Sequence, residues 1–371
     1  MWQWLRRLLF GWLPPPEAPP PEASAPEASA PEASAPSTEA APNDAEEHTL
    51  EAAEPGPDSR SQATEDYLRR EFPLAPPAPE VPATTVKELS DLVREHFEAN
   101  RPDPASFPSL AARVIDLTEQ PDLHLDSLAQ VIAQDPAIAF RILKVANSTF
   151  YRRAKNVEDL RTALRLLGLN EVARIAVGMA GRALFDMEAR SEYSALSQRW
   201  STLYSDSMTM AFSASWLGTE LRVGQPGRAF LGGMFHDIGK TVALRAIGTM
   251  AVRGEIPMLP DPVIDQVVED VHLDLGVSLH ATWNLPEYLT TLCLRHHDPK
   301  VPEVPEFDDV HIVRVVSLLN LLRTGRADPS LPFDQLLQAL HALRMGPGQT
   351  RDLCVKMNEM SEHVRATFGT G

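Results

Sequence analysis

Residues 128–148 read LAQVIAQDPAIAFRILKVANS. Leu128, Val131 and Ile132 fall at i, i+3 and i+4, the spacing of one helical face. Asp135 and Pro136 then supply an N-cap oxygen and a proline at the first helical position, where its missing N–H costs nothing. Ile138, Ile142 and Val145 carry an apolar face into a second helix. The same pattern continues outward. Leu160, Leu164 and Leu167 follow i, i+4 and i+7. Gly168 is placed to stop that helix and Asn170 to cap the next, whose inner face is Val172, Ile175, Ala176 and Met179. From Thr84 onward no sustained period-two alternation lies between hairpin turns. The expectation is an all-α body of about a dozen helices, long enough to bury a proper core. It is divided into a helical domain over 84–330 and a helical extension over 331–371.

Residues 14–83 are a different material. PEASA occurs in tandem at 21–25, 26–30 and 31–35, and seventeen of the 33 prolines fall between Pro14 and Pro82. Few large apolar groups are available to offset ordering entropy, so the expectation is a disordered, extended Pro/Ala/Glu-rich linker. Within it, EDYLRREF at 65–72 has the pattern of a short, transient helix. Residues 1–13, MWQWLRRLLFGWL, predict an amphipathic helix that the prolines at 14–16 stop. Gln3, Arg6 and Arg7 form one polar stripe, and Trp2, Trp4 and Trp12 lie among the apolar remainder. Such a helix suits a membrane interface or a partner's groove, and docking on the chain's own body is the competing reading.

The chain of 371 residues has a net charge of −17. By count, residues 1–80 hold fifteen Asp/Glu against five Arg, a net of −10, which leaves −7 for the rest. Nucleic acid is therefore not an expected partner. Cys293 and Cys354 are the two cysteines. They exclude a disulfide framework and a Cys-rich zinc site, suit a reducing compartment, and read as buried inert thiols. The apolar start is too short to span a bilayer and lacks a cleavage-type segment. The cytoplasm is the expected location, with a peripheral position at the inner membrane if the N-terminal helix meets lipid.

Several landmarks appear in order. They are FPSLAARVIDLTEQPDLHLDSLAQVIAQDPAIAFRILKVANSTFY (107–151), RTALRLLGLNEVARIAV (161–177), FLGGMFHDIGK (230–240) and VHLDLGVSLHATWNLPEYLTTLCLRHHDP (271–299). Asp135-Pro136, Asn147-Ser148 and Ala163…Leu167-Gly168 carry the likeness most directly. This part of the chain resembles an HDOD domain, an output domain related to the HD phosphohydrolases. The resemblance implies a multi-helix HD-like bundle in a bacterial signal-transduction protein. It further implies a site that has largely lost catalysis and action through protein partners.

The resemblance also implies a ligand set to test. HD hydrolases hold divalent metal with a first His, a His-Asp pair and a late Asp, and two-metal members add histidines between the pair and the late Asp. Here the pair is His236-Asp237. DSMTMA puts Asp206 where the first His belongs, and HIVRVVSLLNLL puts Ser317 at the late Asp, with Asn320 a turn further. The intervening histidines correspond to His272, His296 and His297. The candidate set is therefore Asp206, His236, Asp237, His272, His296 and His297, a divalent metal being its only implied cofactor. The competing reading is a relict site whose polar groups hydrogen-bond and fix packing. Lys240 either neutralises a bound phosphate or is a surface lysine. His280 and His311 read as ordinary helix residues, and Asn147-Ser148 as a cap or packing pair. After His296-His297 the chain continues DPKVPEVPEF, without the Gly-Tyr-Pro of the cyclic di-GMP hydrolases.

Three readings follow. The first is a non-catalytic output or scaffold module that offers a groove to a protein partner, with the linker raising its effective concentration near whatever the N-terminal helix binds. The second is a metal-dependent phosphohydrolase with altered ligands. The third is a nucleotide-sensing pocket without turnover. No GK[ST] phosphate loop or Ser/His/Asp arrangement supports other chemistry.

Overall fold

The computed structural model describes residues 57–103, 106–118, 120, 124–148, 157–185 and 194–368. The expected N-terminal helix and the linker as far as residue 56 lie outside the described residues. Among those described, the fold is helix and connecting loop, with no strand. The first seven helices are α1 (Pro57–Glu71), α2 (Ala83–Ala99), α3 (Ser109–Thr118), α4 (Leu125–Ile132), α5 (Pro136–Ala146), α6 (Leu160–Leu167) and α7 (Leu169–Phe185). Then come α8 (Ser194–Leu221), α9 (Pro226–Phe235), α10 (Ile238–Val252), α11 (Asp261–Thr282), α12 (Glu287–Arg295), α13 (Asp308–Arg323), α14 (Phe333–Ala342) and α15 (Pro347–Phe368).

Local chemistry accounts for the boundaries. Asp135 Oδ1 accepts from the amides of Ala137 (3.0 Å) and Ile138 (3.1 Å), capping α5 as its sequence predicts. Asn147 closes the other end. Its Nδ2 donates to the carbonyls of Leu143 (3.0 Å) and Val157 (2.8 Å), and its Oδ1 accepts from Val157 N at 2.8 Å. Asn147 is therefore a cap and a loop staple. Asn170 is not the cap expected of it. Helix α7 already begins at Leu169, and the amide of Val172 is satisfied by the Gly168 carbonyl at 3.1 Å.

The middle of α8, residues 207–218, is buried almost all round, its Ser and Thr side chains included, because it lies between two cores. Met208, Ala211 and Phe212 face one core. Met210, Ala214 and Leu217 face the other. The first core joins α2 through α12, and the second joins α8 to α13, α14 and α15. Helix α9 packs along α8 at backbone distance, since a Cβ on Gly233 would lie 2.7 Å from Ala211 Cα. The extension beyond residue 330 enters both cores. Leu353 and Met357 of α15 lie in the second core, while Val364 and Phe368 reach the first.

The linker ends earlier than its composition suggests. Pro57–Glu71 is a helix docked on α14 and α15, where the sequence reading placed linker to residue 83. Leu68 is fully buried in the second core, the cluster that also holds Leu336, Leu340, Leu353 and Met357. Tyr67 is buried beside it, with Arg351 stacked on its ring, and Arg69 covers Phe333 at 4.1 Å. The physical reason is visible in the proline positions. Pro57 stands at the helix start, where proline is tolerated, and none follows until Pro73. After the helix, Ala75 N donates to Ala327 O at 2.7 Å, tying the chain to the loop beyond α13. No described helix is long and apolar enough to cross a membrane.

Leu68→Ala is expected to cost the full chain about 2–5 kcal/mol in urea unfolding, as for other buried leucines. A cost near zero would show that 57–71 is not docked.

Candidate metal centre

His236 and Asp237 occupy the break between α9 and α10. Asp237 stands at the N-cap position of α10 but makes no capping hydrogen bond. Its carboxylate turns toward α11 and α12 instead. His272 lies in the middle of α11, while His296 is the C-cap residue of α12 with His297 next to it. Three separate elements therefore meet. They can do so because α10 crosses α11 backbone to backbone. A Cβ on Gly239 would lie 1.9 Å from the His272 carbonyl oxygen and 2.7 Å from Gly276 N, so only glycine allows that crossing.

Asp237, His272, His296 and His297 each bring one ligand atom to a common point, all within 4.8 Å of one another. Three imidazoles of the site are oriented alike. His236 Nδ1 lies 3.0 Å from Gly232 O, His272 Nδ1 2.7 Å from Glu269 O, and His296 Nδ1 2.8 Å from Cys293 O. A carbonyl only accepts, so each Nδ1 carries the proton and each neutral ring turns an Nε2 lone pair inward. Those Nε2 atoms, His297 Nε2 and Asp237 Oδ1 are buried without a hydrogen-bond partner. Asp237 Oδ1 sits 3.5 Å from both His272 Nε2 and His296 Nε2. Lone pairs facing lone pairs at that distance are repulsive unless a cation lies between them.

The charges support the same reading. Burial opposes ionisation of Asp237, but Lys240 and the imidazoles hold its carboxyl well below the usual range. Lys240 Nζ is 2.9 Å from Asp237 Oδ2 and 3.2 Å from Glu269 Oε2. These carboxylates outweigh burial and raise the lysine above its ordinary value. Burial likewise opposes Glu269, yet Lys240 brings it down to about 2. His236 is pushed down to about 4 and His297 to about 2, in each case chiefly by burial. Burial also lowers His272. The cluster therefore combines neutral imidazoles with an ionised carboxylate. That donor set fits a divalent transition metal, and the orphaned ligand atoms fit one bound ion.

The six expected ligands do not all meet at one point. Asp237, His272, His296 and His297 converge. His236 stands beside them, its Nε2 3.5 Å from Asp237 Oδ2. Asp206 does not converge with them: its carboxylate is held by Arg326 on the wall of a cavity of about 420 Å³ that Asp237, Lys240, Glu269 and His297 also line. Ser317 faces the same cavity as a neutral group. Lys240 is mostly buried, ion-paired with Asp237 and Glu269, and lines the same cavity. Glu269 and Arg326 were missed by sequence reasoning. Glu269 was within reach, lying one turn before His272 on the same helical face. Arg326 left no local signal, because its partner Asp206 is 120 residues away. Cys293 and Cys354 are buried free thiols raised by burial, in keeping with inert cysteines. His280 and His311 lie inside α11 and α13, apart from the cluster.

With that geometry in hand, likeness to known proteins can be placed. The HDOD domain family pattern matches residues 105–299. An uncharacterized protein of Treponema pallidum (strain Nichols) is 26% identical over 206 residues, covering 53% of this chain and 39% of that protein's length. Among solved structures, an HDOD domain protein of unknown function from Geobacter sulfurreducens has a TM-score of 0.55 at 20% identity. It covers 76% of this chain and 99% of its own. A candidate signal transduction protein from Marinobacter aquaeolei VT8 has a TM-score of 0.53 at 17% identity, over 86% of this chain and 67% of that one. A candidate metal-dependent phosphohydrolase from Shewanella amazonensis SB2B has a TM-score of 0.51 at 19% identity, over 75% and 99%. At these identities the three structures establish a shared fold.

Two outcomes are expected. Gly239→Ala should destabilise the chain by about 3 kcal/mol or more, the upper end of overpacking, since the new methyl meets backbone and not a flexible side chain. Urea unfolding checks this. The second concerns pH. His280 is held down to about 4 by burial, against about 6.5 in an unfolded chain. Below pH 6.5 the unfolded chain takes up a proton that the folded chain refuses until near pH 4, so this stability is lost as pH falls through that window. Between pH 7.5 and 5, in chelator, wild type should lose about 2 kcal/mol more stability than His280→Leu.

Proposed function

Because the chain belongs to the HDOD domain family, we propose that it is a signal-transduction module. It holds a single divalent cation at Asp237, His272, His296 and His297 and does not turn over phosphate esters. The convergence of four ligand atoms, with their buried lone pairs unpartnered, carries this reading. Among the described residues one group of ligand atoms converges, and the positions of a second ligand set are altered, which supports the lack of turnover. Asp206 is occupied by Arg326, and Ser317 offers a weak neutral oxygen. The family resemblance and the structural neighbour described as a candidate signal transduction protein support the signalling role.

Within the site, Asp237 supplies the negative charge and the imidazoles supply directed lone pairs. Lys240 and Glu269 neutralise one another on the solvent side. When bound, a divalent cation supplies positive charge that compensates Asp237 and joins α10, α11 and α12. The module then acts through protein partners in the cytoplasm. The Trp- and Arg-bearing sequence of residues 1–13, joined through the Pro/Ala/Glu-rich stretch, serves to keep the module near a partner or a membrane surface.

Elemental mass spectrometry of the untagged full chain should find one divalent metal per chain. It should be lost in His272→Ala and kept in Asp206→Ala. The same preparations should show no hydrolysis of bis(p-nitrophenyl) phosphate or cyclic dinucleotides. Metal-free wild type, or turnover that Asp237→Ala abolishes, would refute the proposal.

A further inference from the structure

Arg314, on α13, is the largest fully buried side chain among the described residues. A guanidinium stays charged at any accessible pH, and burying one costs several kcal/mol unless it is well bonded. Its hydrogen bonds run from Nε and Nη2 to backbone carbonyls, while Nη1 is buried without a partner. Nε donates to His296 O at 2.8 Å, and Nη2 donates to Arg295 O at 2.9 Å and to Asp298 O. These three carbonyls bracket His296 and His297. Helix α12 ends at Arg295, so its last carbonyls lack helical partners and carry the negative end of the helix dipole. A fourth carbonyl of the same turn, Cys293 O, accepts from the His296 ring. The turn that presents two of the four convergent ligands is held at its surface by backbone bonds from Asp298 N and Val301 N and by the Arg295–Asp298 ion pair, and from inside by one buried cation and by one of the ligands itself.

We propose that Arg314 is a positioning residue for the cation site. It fixes the backbone of 295–298 so that His296 and His297 meet Asp237 and His272 at one point. This rests on reading the cluster as a cation site. A helix cap alone needs no buried arginine, since water, or a lysine at the surface, satisfies exposed carbonyls. What distinguishes Arg314 is the planar fork that reaches three carbonyls at once, with its stem packed inside the fold. Lysine keeps the charge but offers a single point of contact, so Arg314→Lys separates charge from geometry.

The test uses the full chain as wild type, as Arg314→Lys, and as Leu340→Ala, which weakens the second core away from the site. Affinity for Zn²⁺ is read by competition with a chromophoric chelator, and amide hydrogen exchange is read over 295–299. Arg314→Lys should bind Zn²⁺ about 10–100-fold more weakly, the usual effect of losing a group that orients metal ligands. Exchange should quicken over 295–299. Leu340→Ala should lose stability and keep native affinity. Native affinity in folded Arg314→Lys, or equal weakening in Leu340→Ala, overturns the proposal. If wild type takes up no Zn²⁺, the proposed function fails by itself. Positioning is then judged by exchange and by the imidazole ¹⁵N signals, and it is overturned if Arg314→Lys leaves both unchanged. If Arg314→Lys does not fold, the wild-type Arg314 Nε–H signal decides. It must shift on Zn²⁺ addition, and an unmoved signal overturns the proposal.

Discussion

Helix α10 lies so close on α11 that the backbone of Gly239 faces the His272 carbonyl and the Gly276 amide with no room for a methyl between them. That contact sets the separation of Asp237 from His272, and the rest of the site is built around it. Asp237 begins α10, so its position follows the crossing directly. In that position a carboxylate would ordinarily cap the first turn. Here it gives up the cap, and its Oδ1 faces His272 and His296. The capping energy forgone is about 1 kcal/mol, small beside the electrostatics of a buried carboxylate among imidazoles.

Charge balance explains why the arrangement is tolerable and what completes it. Asp237 and Glu269 face one ammonium, Lys240, and burial pushes His236, His272 and His297 toward the neutral form. The group retains a negative charge and several inward lone pairs. Repeated Nδ1–H to carbonyl bonds at i−3 or i−4 keep those lone pairs aimed. A buried polar cluster with aimed but unpaired acceptors is costly unless something positive joins it. By contrast, Asp206 and Arg326 neutralise each other and ask for nothing further.

The docked end of the linker adds a connection that composition hides. Helix α1 is held in the second core through Tyr67 and Leu68, and Ala75 then bonds the chain to Ala327. Ala327 neighbours Arg326, whose guanidinium meets Asp206 in the cavity beside the metal centre. The segment leading in from the N-terminus thus ends against the wall of the site.

Legibility divides along physical lines. The all-α class, the Asp135 cap, the stop at Gly168 and the roles of His236, Asp237, His272, His296 and His297 as candidates could be read from the sequence. Each depends on residue type and short spacing, or on motifs in order along the chain. The docking of 57–71 was hidden because overall proline content outweighed one proline-free stretch. The separation of Asp206 and Ser317 from the converging four, the engagement of Lys240, and the parts played by Glu269, Arg314 and Arg326 belonged to the tertiary structure alone. The sequence by itself determined which side chains can ligate and which segments are helical, since both are local properties. Which ligand atoms share one point, and which are drawn off into ion pairs, was decided by helix crossings between residues distant in the chain.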